Sequence, residues 1–268
     1  MKIWKNTSTL DGFDHGLEFT EIMTDADIVL MGSKFIEINQ FPNLKGIFRA
    51  GVGRDNVPEE DAKKKGIIVR FPSDQTINII FDETASFTCS LIFRMLYNDI
   101  GAINSWMKAP RQQMSVKNLL VIGMGKIGSR VAKLMRPFIK VSTFDVLQNE
   151  ISGLKSMIQQ ADCISIHIPK SNENISFFDK EKLSWMKDNS TLVNAARGAI
   201  VDEDALYNEI SSLYDSIYDA QRLLAYSTVT TQHMKMYNDI SDGKFFGGKR
   251  KFFKSYGKLG HRFNNIWL

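Results

Sequence analysis

Cysteine and histidine are scarce in this 268-residue sequence: two of the first, Cys89 and Cys163, and four of the second. Both cysteines sit inside apolar runs, which suits reduced, buried small hydrophobes rather than a disulfide or a metal site. His15, His167, His233 and His261 are too scattered for zinc-ligand spacing, so no metal is expected. No run approaches the roughly 18 apolar residues that a membrane helix needs. The start, Met1-Lys2-Ile3-Trp4-Lys5-Asn6, has neither a long apolar core nor a small-residue cleavage site, which predicts a cytoplasmic protein with no membrane partner.

What is present is ordinary in bulk. At 43% hydrophobic and 24% charged residues, the chain has the composition of a globular protein, with length for one large domain or two of usual size. The net charge of +4 is uneven. From Ser241 to Leu268 seven Lys or Arg face one acid, Asp242, so this tail carries +6 and the remainder −2. A basic, aromatic tail can meet nucleic acid, but a solvated Gly- and Lys-rich end is the simpler reading and no nucleic-acid partner is expected.

Short β-branched runs alternate with amphipathic stretches, the pattern of parallel α/β sheets. Ile28–Met31, 46–50 and 67–70 read as buried strands, and a polar helix runs from Pro58 to Lys65 with Gly66 as its stop. A long helix is predicted from about Phe81 to Ile100. Phe81, Ala85, Cys89, Ile92 and Leu96 share one face, which Phe87, Leu91 and Met95 widen beyond a surface stripe. Residues 101–117 read as a loop. The expected domains are 1–98, with 235–268 as its possible completion, and 99–234.

The sharpest motif follows. Leu119-Leu120-Val121-Ile122 is a strand that runs into Gly123-Met124-Gly125-Lys126-Ile127-Gly128, and a helix then places Val131, Leu134 and Met135 on one face before Pro137. A second strand, Ile139 to Phe144, ends on Asp145. Gly123 allows the tight turn, Gly125 lets a pyrophosphate approach the backbone, and Gly128 lets helix and strand pack closely. The N–H groups of Lys126 and Ile127 point at the phosphates. Asp145, 22 residues after Gly123, can accept from the ribose hydroxyls and would repel a 2′-phosphate. The cofactor expected is NAD.

With this unit in place, the remaining motifs resemble the D-isomer-specific 2-hydroxyacid dehydrogenase family, of the phosphoglycerate dehydrogenase-like kind, from about Asp25 to Asp219. Leu44 to Val57, with Ala50-Gly51-Val52-Gly53 at its centre, looks like that family's substrate-carboxylate loop, a turn whose N–H groups form an anion nest. Ala161 to Pro169 is similar to its strand and loop beside the cofactor, which brings in His167, Ile168 and Pro169. Leu192 to Leu206, containing Asn194-Ala195-Ala196-Arg197-Gly198, resembles the segment that delivers the family's substrate-gripping arginine, here Arg197. Ala196 and Arg197 are also implied at the cofactor, and Asp219 corresponds to an aspartate near the nicotinamide carboxamide. The resemblance implies two Rossmann/flavodoxin-like parallel-sheet domains, the NAD-binding one following the substrate domain. It also implies a homodimer and hydride exchange between a 2-hydroxy acid and a 2-oxo acid.

The chain departs from that pattern after Asp219. Residues 220–232 contain no Asp or Glu, no Glu-Pro occurs, and Gln232 stands where the family has proline. His233, after the strand-like run Thr228-Val229-Thr230-Thr231, is the candidate acid/base. An NAD(H)-binding sensor or scaffold with impaired catalysis is the alternative that this departure raises.

Overall fold

The computed structural model describes residues 1–97 apart from 10, 13 and 14, residues 112–208 apart from 189, and residues 223–226. They divide into two compact units at the Ile80–Phe81 junction.

The first unit carries a sheet of β1 (Lys2–Lys5), β2 (Glu18–Phe19), β3 (Ile28–Met31), β4 (Gly46–Arg49) and β5 (Ile68–Arg70). All pairings are parallel and the order is β2-β1-β3-β4-β5. Helix α1 (Glu59–Lys64) starts at Pro58 and stops before Gly66, whose φ of +69° ends it in the left-handed region. Val29, Met31, Phe41, Ile47 and Ala62 make the core, and Trp4 meets Phe41 edge-on with ring centroids 5.1 Å apart.

Helix α2 (Asp74–Leu96) begins seven residues earlier than its apolar periodicity indicates. Ser73 explains the start. Its Oγ accepts the Thr76 N–H at 3.3 Å and its carbonyl takes the Ile77 N–H at 2.8 Å, which caps a start whose residues are not buried. Ala85, Thr88, Cys89, Leu91, Ile92 and Met95 are buried, an arc of about 160° at 100° per residue. From Phe81 onward this helix goes with the second unit: Phe93 packs edge-on against Phe138 at 5.2 Å, and Asp82 pairs with Arg130.

The second sheet contains β6 (Asn118–Ile122), β7 (Lys140–Phe144), β8 (Cys163–Ile166), β9 (Thr191–Asn194) and β10 (Leu223–Tyr226) in the order β10-β9-β8-β6-β7, again all parallel. Its connections include α3 (Gly128–Met135), α4 (Leu154–Gln160), α5 (Lys180–Ser184) and a helix over residues 203–208. Strands β8 and β9 are buried at every residue, and β6 at all but its first, the continuous burial of a sheet covered on both faces. Leu120, Ile122, Phe144, Ile158, Ile164, Phe178 and Leu192 form the core between sheet and helices. Each such side chain contributes about 1.5–3 kcal/mol by leaving water.

The fold is therefore the two-sheet parallel α/β architecture that the sequence pattern predicts. Counted within each unit, both sheets read 2-1-3-4-5. Two burial expectations are corrected. Strand β5, at the sheet edge beside β4, is mostly exposed, with Ile68 at 57%, where the sequence predicts a buried strand. Leu134 is 46% exposed, whereas Val131, Ala132 and Met135 are buried. Helical geometry gives the reason, since Leu134 stands about 110° from the centre of the face those three define. Among the described residues no helix is long and apolar enough to cross a membrane, and no group of His, Cys, Asp or Glu could hold a metal ion.

Candidate functional site

A 2-1-3-4-5 sheet reverses its direction of growth between its first and third strands, and ligands of open α/β sheets bind at the carboxyl ends beside that switch. In the second unit the switch lies between β6 and β8. The loops that follow β6, β8 and β9 are Gly123–Ile127, His167–Pro169 and Ala195–Arg197, so the expected cofactor residues after those strands share one edge of one sheet.

The glycines of the first loop do different things. Gly123 has φ +92°, and a Cβ there would lie 2.7 Å from the His167 carbonyl oxygen and 2.9 Å from Ile168 Cγ2. Only glycine lets the β6 and β8 loops pack so closely. A Cβ at Gly128 would run into the Gly123 carbonyl oxygen, which binds helix α3 tightly to the end of β6. At Gly125 a Cβ would meet nothing within 4 Å. The N–H groups of Gly125, Lys126 and Ile127 in the same loop have no hydrogen-bond acceptor among the described residues. Open donors at a helix start, with clear space in the same loop, fit the pyrophosphate of a dinucleotide.

Asp145 directly follows β7. Its Oδ2 accepts the Met124 N–H at 2.7 Å and its Oδ1 the Leu147 N–H at 3.0 Å, while the Asn149 Oδ1 accepts the Asp145 N–H at 2.9 Å. The carboxylate is thereby held against the glycine loop, with exposed Val146 and Leu147 next to it. No lysine or arginine occurs from Asp145 through Leu154, so that segment offers a 2′-phosphate no cation.

His167 is tied inward. Its N–H donates to the Ile122 carbonyl at 2.7 Å and its Nε2 lies 2.8 Å from the buried Ser165 Oγ. Burial pushes the imidazole down to about 4, so the ring is neutral in the physiological range. Burial also pushes the Cys89 thiol up to about 11 and the Cys163 thiol upward, which makes neither a nucleophile.

Arg197 is half-buried just beyond β9, and its Nη1 donates to the Ala196 carbonyl at 3.0 Å. Asn194, fully buried at the end of β9, accepts the Ala196 N–H at 3.0 Å and donates to the Arg197 carbonyl at 2.8 Å. Asn194 is a residue to which the sequence motif alone assigns no role. The signal for it is an Asn at the end of a strand two residues before the turn it must brace. Asp202 starts the following helix, its Oδ1 accepting the Ala205 N–H at 2.9 Å.

In the first unit, Val52 and Gly53 follow β4 in a half-buried turn, and their N–H groups have no acceptor among the described residues. Gly51 is required there: a Cβ would come within 2.6 Å of Arg49 Nη1, whose guanidinium is buried and donates to the Ala50 carbonyl. Arg54 is stacked 4.0 Å over the Phe71 ring and bonded to both Glu59 carboxylate oxygens. Asp219 and His233 lie outside the described residues, as does the run Thr228 to Thr231, while the strand beside β9 is Leu223–Tyr226.

Comparison with known proteins adds the following. Residues 97–215 match the NAD binding domain of the D-isomer specific 2-hydroxyacid dehydrogenases. Over 216 residues the chain is 31% identical to the D-3-phosphoglycerate dehydrogenase of Methanocaldococcus jannaschii, covering 72% of this chain and 40% of that protein. It is 30% identical to the hydroxypyruvate reductase of Thermotoga maritima, covering 73% of this chain and 68% of that one. The chain thus spans about two fifths of the length of the phosphoglycerate dehydrogenases it matches. Its fold resembles that of the D-lactate dehydrogenase from Aquifex aeolicus, solved with NAD and lactic acid. The TM-score is 0.68 at 22% identity, over 96% of this chain and 84% of that one.

Proposed function

We propose that this chain, which belongs to the D-isomer specific 2-hydroxyacid dehydrogenase family, binds NAD on its second sheet and interconverts a 2-hydroxy acid and a 2-oxo acid. The observation that carries the reading is the open space at Gly125 in a loop whose Gly125, Lys126 and Ile127 N–H groups have no acceptor among the described residues, with Asp145 at the neighbouring strand end. Those amides hold the pyrophosphate, and Asp145 accepts from the adenosine ribose. Bound there, NAD supplies the nicotinamide that accepts or donates the hydride. His167, Ile168 and Pro169 line the edge beside it, with Ala196 and Asp219 on the nicotinamide side.

Arg197 has the chemistry for a substrate carboxylate: a permanent charge and a fork of donors that matches two oxygens. The Val52 and Gly53 N–H groups of the first unit also suit an anion. His233 exchanges a proton with the substrate oxygen as that oxygen becomes hydroxyl or carbonyl. Residues 1–80, completed by 235–268, act as the substrate domain and residues from Phe81 to 234 as the cofactor domain of a cytoplasmic homodimer, a division at 80–81 in place of the 98–99 expected from the sequence. A screen for NADH oxidation across glyoxylate, hydroxypyruvate and larger 2-oxo acids tests the activity. Turnover that falls at least about a hundredfold in kcat/KM with Arg197→Ala, the loss of a charged hydrogen-bond pair, supports it. Turnover indifferent to Arg197→Ala and His233→Ala contradicts it.

One fact favours a second reading, an NAD(H)-binding sensor or scaffold: no acid occurs between Asp219 and His233 to pair with that histidine. NADH binding without oxidation by any 2-oxo acid selects it.

A further inference from the structure

We propose that Asn194 is a positioning residue that holds Arg197 in the posture needed to bind a substrate carboxylate. The proposal rests on the reading of Arg197 given above. Three hydrogen bonds close the local structure: Ala196 N–H to Asn194 Oδ1 at 3.0 Å, Asn194 Nδ2 to the Arg197 carbonyl at 2.8 Å, and Arg197 Nη1 to the Ala196 carbonyl at 3.0 Å. One buried amide therefore grips both sides of the short turn that carries the guanidinium.

The chemistry of the two partners selects the residue. The Ala196 N–H can only donate and the Arg197 carbonyl can only accept, so the side chain between them must supply one acceptor and one donor. Asn does so at this length. Asp has the same shape but turns a second acceptor toward the Arg197 carbonyl. Gln needs room for another methylene beside Leu192 and Val193, both fully buried. Torsional preference offers no substitute, because Arg197 has φ −142° and ψ 139°, extended backbone that any residue adopts. The turn keeps its shape through Asn194, and the arginine's aim follows from the turn.

Asn194→Asp is the discriminating variant, since it keeps the acceptor for Ala196 and loses the donor to Arg197. The full chain is compared with Asn194→Asp, Arg197→Ala and the double variant. NADH affinity is read by fluorescence. Oxamate, which has a carboxylate and an adjacent carbonyl but is not reduced, is titrated into the NADH complex, and KM and kcat are measured with glyoxylate and hydroxypyruvate. Loss of one buried hydrogen bond should raise the oxamate Kd and the 2-oxo acid KM about tenfold. NADH affinity should stay within about twofold, and Asn194→Asp should add nothing once Arg197 is Ala. An equal loss with and without Arg197, or unchanged oxamate affinity, overturns the proposal. If the parent protein neither binds oxamate nor turns over a 2-oxo acid, the functional reading fails by itself. Crystal structures of parent and Asn194→Asp then decide the positioning role: a displaced Ala196–Gly198 backbone supports it, and an unmoved one overturns it.

Discussion

Gly123 and Gly125 lie two residues apart, yet an added methyl group would meet opposite surroundings at each. At Gly123 it would force a side chain to φ +92° and press on the His167 carbonyl. Gly123→Ala should therefore destabilise the chain by about 3 kcal/mol, read as a lowered urea midpoint. A stability loss below about 1 kcal/mol would contradict the close approach of the two loops. His167 supplies a pH signature. Its pKa is about 4 when folded against 6.5 for an unhindered imidazole, so the unfolded chain takes up the proton first. The stabilisation from keeping it neutral is complete above pH 6.5 and is lost as pH falls from there toward 4. Between pH 7 and pH 5 the parent should lose about 1–2 kcal/mol through this group, and His167→Gln should flatten that loss. Unfolding titrations at the two pH values give the slopes, and equal slopes would remove His167 from the account. The glycines and Asp145 were legible in the sequence because spacing alone marks them. The Asn194 brace was not, since its partners are backbone groups that come within reach only once the turn has formed.

At the scale of elements, buried strands were the easiest to read. Strands β6 and β8 are mostly apolar and buried on both faces, with Ser165 the one polar residue inside β8. Helix boundaries were harder. The first turns of α2 begin with exposed Asp74, Gln75 and Thr76 and bury none of Ile77, Ile79 and Ile80, and they are held by the Ser73 cap. Leu134 was misplaced because an apolar residue adjacent to Met135 need not lie on the same face. Strands β1 and β2 were missed for another reason: Lys2–Lys5 and the two residues of β2 are short, partly polar and only partly buried, and become strands through parallel pairing of β1 with distant β3 and of β2 with β1. Asp202 offers a measurable check on the segment around Arg197. Its carboxylate caps the helix over residues 203–208 through the Ala205 N–H. Asp202→Ala should cost about 1 kcal/mol and Asp202→Asn only a few tenths, visible as a difference in thermal midpoint. Equal losses for the two variants would mean that the cap does not act through its oxygen acceptor.

For the whole molecule, two sheets of the same 2-1-3-4-5 order carry different loops at their carboxyl ends. The first has the Gly51–Gly53 turn, and the second has the glycine loop, His167–Pro169 and Arg197. Sequence pattern locates these loops because each motif directly follows a strand, where α/β sheets place their ligand groups. The segment after Asp219 was less legible because it keeps neither the spacing nor the acid of the family it otherwise matches. The central claim concerns the cradle at Gly125, and the most direct measurement is a fluorescence titration of the full chain and of Gly125→Val with NADH and NADPH. The valine enters open space, so its thermal midpoint should stay near the parent's. The account predicts saturable NADH binding by the parent, at least about tenfold weaker binding of NADPH, and loss of NADH binding by Gly125→Val. Absence of saturable NADH binding by the parent, or a folded Gly125→Val that binds NADH as tightly, would contradict it.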